Sequence, residues 1–387
     1  MTERKLYLSL MLITLSVVYA RMDAQQVVRS EPILQLCSEY SDAGDLITAS
    51  VSAHAFSLSI SRPSRDIIEL NGGIQNIAPI SMLTRVIDRC QIAISTSSDR
   101  AVLAIPTSSG LFLQLLDLSI GQLAQTVLVP QKFPIEFVHS MGFISGSGQL
   151  AVSRAHYLAT GETEVSTQFV GADGSITSVA HSVFGPRYAE VLESSFDFSG
   201  GRVWFLCPVY SARFDRQPRC TLTSAPLFDT ATTTLEIPPP PNDRVMGSGQ
   251  PNLGFPSSDL AVLLAQDRLW LYSFSARSFR QMTLPETPHH IRWVELPGQP
   301  KFSSDGRFAA IPVYMSHYPL FEEDAVPHGT KIVVVDMTTL QIMQTIQPSK
   351  QERIVDFALH NDGTNLTLVA NWGKDWQISN FPIVHGN

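Results

Sequence analysis

"FSSDGRFAAIPVY", Phe302–Tyr314, and "FSGGRVWFLCPVY", Phe198–Tyr210, share a Phe-Ser start, a Gly-Arg step and a closing Pro-Val-Tyr. Each runs from an apolar residue through a polar turn into an apolar strand-like segment. Five further stretches have the same plan: "YSDAGDLITASV", "STSSDRAVLAI", "ISGSGQLAVS", "FPSSDLAVLLA" and "LHNDGTNLTLVA". Anchored at Gly44, Asp99, Gly148, Gly201, Asp259, Gly306 and Gly363, the seven recur at intervals of 55, 49, 53, 58, 47 and 57 residues. A period of about 50 residues marks a solenoid, propeller or array.

The segments downstream of each anchor choose among these. After Asp99 come "AVLAI", "LFLQLLDL" and "LAQTVLV", separated by "PTSSG" and "SIGQ"; after Asp259 come "LAVLLA", "LWLYSF" and "FRQMTL". One strand-like run before each anchor and three after it make a four-stranded antiparallel meander. A single such sheet cannot bury both faces, but stacking between neighbours can. Greek-key spacing and a break every hundred residues, which a tandem of sandwiches requires, are absent; the one linker-like run is Pro238–Pro241. The expectation is all-β: a seven-bladed β-propeller of four-stranded antiparallel blades. The last unit reads one strand short, and the segment "QQVVRSE" is expected to fill its outer position and protect the open edge.

The core "SSDGRFAAI" resembles the S-x-D-G-x-x-h-A-h repeats of bacterial exported propellers, the YVTN-type and WD-like group, although the Gly-His and Trp-Asp pairs of eukaryotic WD repeats are absent. That group includes binding proteins, lactonases and redox subunits, so the resemblance implies a fold and leaves the activity open.

Residues 1–20 read as a signal peptide: Arg4 and Lys5 precede the uncharged "LYLSLMLITLSVVYA", with small residues before the cleavage point and a second cleavage point at Ala24. Fifteen apolar residues fall short of the ~20 needed to span a bilayer. The expected mature chain is thus one propeller domain over 25–387, secreted or periplasmic, with no membrane span after cleavage. The formal net charge is −8, and losing Glu3, Arg4 and Lys5 leaves about −9. Nucleic acid is excluded as a partner on this ground, because phosphate binding needs a basic face.

An exported chain with four cysteines permits two disulfides. Cys207 ends the second strand of unit four and Cys220 begins the third, so these two are expected to pair. Cys37 and Cys90 lie in the first strands of units one and two, where a link between blades is the alternative use.

Connections between second and third strands emerge on the same side as those between blades, and loops on a rigid scaffold carry function. They look long in unit three ("RAHYLATGETE"), unit four ("PVYSARFDRQPR") and unit six ("PVYMSHYPLFEEDAVPHGT"). These stretches carry Arg154, His156, Tyr157, Tyr210, Arg213, Phe214, Arg216, His317, Tyr318 and Phe321, and unit seven adds Trp372 and Trp376. Aromatics with Arg are typical of contact surfaces. Tyr157, Tyr210, Arg213, Tyr318 and Trp372 are the expected binding residues, for a protein, peptide or carbohydrate ligand.

His317, Glu322, Glu323, Asp324 and His328 form the densest His/carboxylate cluster and are weak candidates for a divalent metal, since their spacing matches no metal motif. No other cofactor is expected. No G-x-S-x-G, H-E-x-x-H, G-x-G-x-x-G, Walker loop or C-x-x-C-H occurs. A non-catalytic binding or scaffold protein is the first expectation. The alternative is a propeller-type hydrolase or lactonase with a metal at the channel mouth.

Overall fold

The computed structural model describes residues 33–384 apart from 64–65, 75–89, 131–135, 158–159, 161–162, 185–192, 198–200, 210–218, 230–232, 236–251, 258, 266–267, 285–299, 314–330, 348–352 and 373–374. Seven antiparallel sheets succeed one another along the chain, each with its strands in simple sequence order. Their innermost strands are Gln35–Tyr40, Gln91–Ile94, Glu136–Phe143, Glu193–Asp197, Asn252–Ser257, Lys301–Phe302 and Arg353–Leu359. The innermost strands of blades 1 to 5, and those of blades 6, 7 and 1, pack side by side in turn, so the strand of blade 1 touches those of both blade 2 and blade 7, which closes the ring. The fold is a seven-bladed β-propeller. Six blades have four strands; blade 7 has three among the described residues, ending in Asp375–Pro382. The segment expected to complete it lies outside the described residues.

Burial explains why inner strands read as continuous apolar runs. In blade 2, the second strand, Arg100–Thr107, and the third, Gly110–Asp117, are buried on both faces, while the outer strand, Gln122–Pro130, alternates exposed and covered positions. A strand sandwiched between sheets has no polar face to show, whereas the outermost strand is half solvated.

The core is divided into seams. Six apolar clusters each join consecutive blades, from Leu58 and Leu103 between blades 1 and 2 to Phe308 and Phe357 between blades 6 and 7. Between blades 4 and 5 the cluster is aromatic: Trp204 stacks on Phe255 with ring centroids 5.7 Å apart. No such cluster joins blades 7 and 1 among the described residues.

Among the described residues, the turns after the innermost strands of blades 1, 2, 6 and 7 share a left-handed residue and one backbone bond. Gly306 (φ 68°) and Gly363 (φ 72°) supply it in blades 6 and 7, where their amides donate to Ser303 and His360 carbonyls. In blade 2 the same bond runs from Ser98 N–H to the Ser95 carbonyl, and Ser98 takes φ 56°. Ser98, rather than Asp99, therefore occupies the glycine position; Asp99 instead accepts from the hydroxyls of Ser95 (2.8 Å) and Ser97.

Cys37 and Cys90 are disulfide-bonded, with Cα atoms 5.9 Å apart, inside the usual span. The bond staples the innermost strand of blade 1 to the residue that enters the innermost strand of blade 2. In blade 4 the ladder sets Cys207 opposite Thr221 and Cys220 opposite Pro208. That one-residue offset places the two cysteines at positions on opposite faces of the sheet, which argues against the expected Cys207–Cys220 bond.

Candidate binding face

A meander of strands sends its connections alternately to two faces. One face carries the turns between first and second strands and between third and fourth. These turns are short, and Asp carboxylates hold many of them. The hydroxyls of Ser97, Ser119, Ser175 and Ser303 keep Asp99, Asp117, Asp173 and Asp305 below the usual carboxylate range, with backbone amides assisting. Successive turns are also tied to one another. Ser304 N–H donates to the Asn361 carbonyl (2.8 Å), Asn361 Nδ2 donates to Asp42 Oδ1 (2.6 Å), and Ala43 N–H donates to Ser98 Oγ (3.2 Å). Those bonds run from blade 6 through blades 7 and 1 to blade 2. The carboxylates here are engaged in turn geometry.

The opposite face carries the connections between second and third strands and those between blades. The four widest separations between consecutive described strands, Gly73 to Gln91, Leu235 to Asn252, Thr283 to Lys301 and Val313 to Lys331, begin and end at this face. Tyr157 and Trp372 end the second strands of blades 3 and 7, where they oppose Thr163 and Asp375. The backbone thus carries both to this face. Trp376 stands in the third strand of blade 7 opposite Asn371 and is half-buried. Tyr210, Arg213, Phe214, Arg216, Tyr318 and Phe321 lie outside the described residues, as do the metal candidates His317, Glu322, Glu323, Asp324 and His328. Among the described residues no cluster of three or more His, Cys, Asp or Glu could hold a metal ion.

The wall expected in blade 3 is shorter than the sequence suggests. The ladder continues through Arg154, Ala155 and His156 to Tyr157, leaving only 158–162 between strands. Arg154 and His156 are buried, and each has a polar partner there. Arg154 Nη1 donates to Gln168 Oε1 (2.9 Å) and to the Pro130 carbonyl (3.2 Å), and His156 Nε2 meets Ser166 Oγ at 3.1 Å. These polar residues sit inside the sheet beside cross-strand partners and a carbonyl of the preceding blade.

Similar bonds cross the blade boundaries from outer strands. Gln125 Nε2 donates to the Asp173 carbonyl (3.1 Å), and Arg280 donates to the carbonyls of Thr338 (2.9 Å) and Met337 (3.2 Å). His181 Nδ1 meets the Asp229 carbonyl at 3.1 Å and Nε2 meets Thr167 Oγ1 at 2.7 Å. A carbonyl only accepts, so Nδ1 carries the hydrogen and Nε2 accepts from the threonine hydroxyl. Burial holds the His181 pKa below its ordinary value, partly offset by the Asp229 bond. Isolated polar residues on otherwise alternating strands were the only sequence signal for these contacts.

At the inner end of the seam between blades 7 and 1 the chemistry changes. Lys301 of blade 6 reaches past blade 7 to pair with Glu39 of blade 1. The innermost strand of blade 7, Arg353–Leu359, stands between their two strands. Asp356, on that strand, accepts the Ser38 amide at 2.7 Å; the Tyr40 amide donates to Glu39 Oε1 at 3.3 Å. Blade 1's innermost strand pairs on one side only, so its outward amides need side-chain acceptors. Burial pushes the Asp356 pKa up to about 7; Lys301 and the Ser38 amide pull it down, and Glu39 adds repulsion. For Lys301 burial works against the charge, but Glu39 and Asp356 outweigh it and raise its pKa. Tyr40 completes the seam, with its hydroxyl 2.8 Å from Thr367 Oγ1 and its ring edge-on to His360.

No family profile matches the chain, and no curated protein matches it. Solved structures do resemble it in shape. The Kuenenia stuttgartiensis hydrazine synthase structure aligns with a TM-score of 0.55 at 8% identity, over 93% of this chain and 99% of that one. A chain of the mitotic checkpoint complex aligns at 0.51 and 8% identity, over 93% and 95%. Identity this low speaks for the propeller fold alone.

Proposed function

We propose that the protein is an exported binding or scaffold propeller that meets its ligand or protein partner with the loop-bearing face. The observation that carries this reading is the asymmetry of the ring. One face is closed by short, Asp-held turns, several bonded to one another, and the strand ends that flank the widest gaps in the described chain, with Tyr157 and Trp372, are at the other. Long loops on a stiff scaffold usually serve contact. Tyr and Trp supply area at low entropic cost, and Arg adds directional bonds. The Cys37–Cys90 disulfide fits an oxidising compartment, in keeping with a secreted or periplasmic location.

The test uses Tyr210→Ala and Trp372→Ala together with binders selected on the wild-type protein from a peptide-display library and a glycan panel. Contact residues should cost about 1–3 kcal/mol in binding and leave melting nearly unchanged. A drop of several degrees in melting for both variants, with binding unaltered, would make the rings packing residues and defeat the reading.

A further inference from the structure

Six seams of the ring are apolar, and the described part of the seventh, between blades 7 and 1, is polar. At its inner end two carboxylates, Glu39 and Asp356, lie beside one ammonium, Lys301, in a partly buried setting where the Lys301 and Glu39 side chains are 29% and 19% exposed. Charge counting alone leaves one negative charge without a partner there. The charged groups acting on Asp356 are Lys301 from the innermost strand of blade 6 and Glu39 from that of blade 1; Tyr40, next to Glu39, turns its hydroxyl to Thr367 instead. Its opposite number on the second strand of blade 7, Val369, does not titrate. His360 and Asp362, in the adjoining turn, pair with each other.

We propose that this seam is a proton-operated latch: a proton on Asp356 holds the first and last blades together, and its loss loosens the closure of the ring. A neutral Asp356 still accepts the Ser38 amide on one oxygen and cancels the surplus charge. An ionised Asp356 keeps that bond but sets two carboxylates against one ammonium. Asp356 titrates near pH 7 in the folded ring and near 3.8 when exposed, so the folded state holds the proton more tightly. The stabilisation it lends is complete below pH about 4, falls as pH rises, and is gone above about 7. A protein in a compartment whose pH varies would thus have one seam that opens in response.

Hydrogen exchange on the full chain, corrected for the intrinsic pH dependence of exchange, reads the latch directly. Peptides covering Gln35–Tyr40 and Arg353–Leu359 should open more often as pH rises from 5 to 7, by up to about tenfold per unit, and level off above. Arg100–Thr107, in blade 2, should stay unchanged. Asp356→Asn, which keeps an acceptor for Ser38, should remove the slope. Should that variant fail to fold, Glu39→Gln removes the repulsion and should move the midpoint to lower pH. Equal corrected protection at pH 5 and pH 8, the same slope in Asp356→Asn, an unmoved midpoint in Glu39→Gln, or a fall shared by every blade would each overturn the proposal.

Discussion

His181 offers a quantitative check on how the blades are joined. It is 4% exposed and bridges blades 3 and 4, with Nδ1–H on the Asp229 carbonyl and Nε2 on Thr167, whose side chain is fully buried. His181→Ala removes both bonds, strands the Thr167 hydroxyl, and loses the ring contact with Phe205 at 5.9 Å. An orphaned buried polar group costs about 1–3 kcal/mol, and with the lost packing the expected total is about 2–4 kcal/mol. His181→Gln should cost less, because Gln125 makes the equivalent bond to Asp173 one seam earlier. The two variants also differ in pH response. Burial depresses the His181 pKa, so the stability it supplies is present above its ordinary value of about 6.5. That stability is lost as pH falls through the folded value, by up to about 1.4 kcal/mol per pH unit. Denaturant titrations of wild type and His181→Gln at pH 5, 6, 7 and 8 would show it. The wild type should weaken toward pH 5 relative to the glutamine variant. Parallel stability curves from pH 5 to 8 would refute the assignment of a neutral, desolvated imidazole to this seam.

Gly363→Ala should destabilise the turn of blade 7. A Cβ there would lie 2.5 Å from the Phe308 ring at φ 72°, and left-handed backbone costs roughly 1–2 kcal/mol for an L-residue; a lower melting temperature with unchanged circular dichroism at 20 °C is the expected result, and unchanged melting would contradict the geometry. Opening the Cys37–Cys90 bond, by Cys37→Ser with Cys90→Ser, frees a loop closed across a separation of 53 residues, worth about 4 kcal/mol on the entropic account; equilibrium unfolding of the double variant measures it, and a loss near zero would contradict that account. Peptide mapping of the unreduced protein tests Cys207 and Cys220: their one-residue offset across the ladder places them at positions on opposite faces of the sheet, so free thiols are expected, and a bonded pair would require the register of blade 4 to shift.

The seven turns, and with them the number of blades, were legible in the sequence because two physical needs recur along the chain. A left-handed residue turns the chain after the innermost strands of blades 1, 2, 6 and 7, and a strand buried on both faces is apolar along its middle, as in Arg100–Thr107. Both are local, so both are written as short patterns. Even so, the pattern misplaced the anchor of blade 2 by one residue, since Ser98 accepts a conformation that glycine usually fills. It also took Arg154 and His156 for loop residues. Polarity marks a side chain that needs partners, and only the packed ring shows that Gln168, Pro130 and Ser166 supply them inside the sheet. The Cys37–Cys90 link was readable as an inter-blade option because both cysteines stand in or next to first strands, but the His181 bridge and the Lys301–Glu39–Asp356 group were out of reach. Glu39 and Lys301 stand 262 residues apart in the chain and become neighbours because ring closure brings blade 1 back beside blades 6 and 7. Local sequence determined the repeating unit; the closed ring decided which of its polar residues meet, and where one carboxylate is left over.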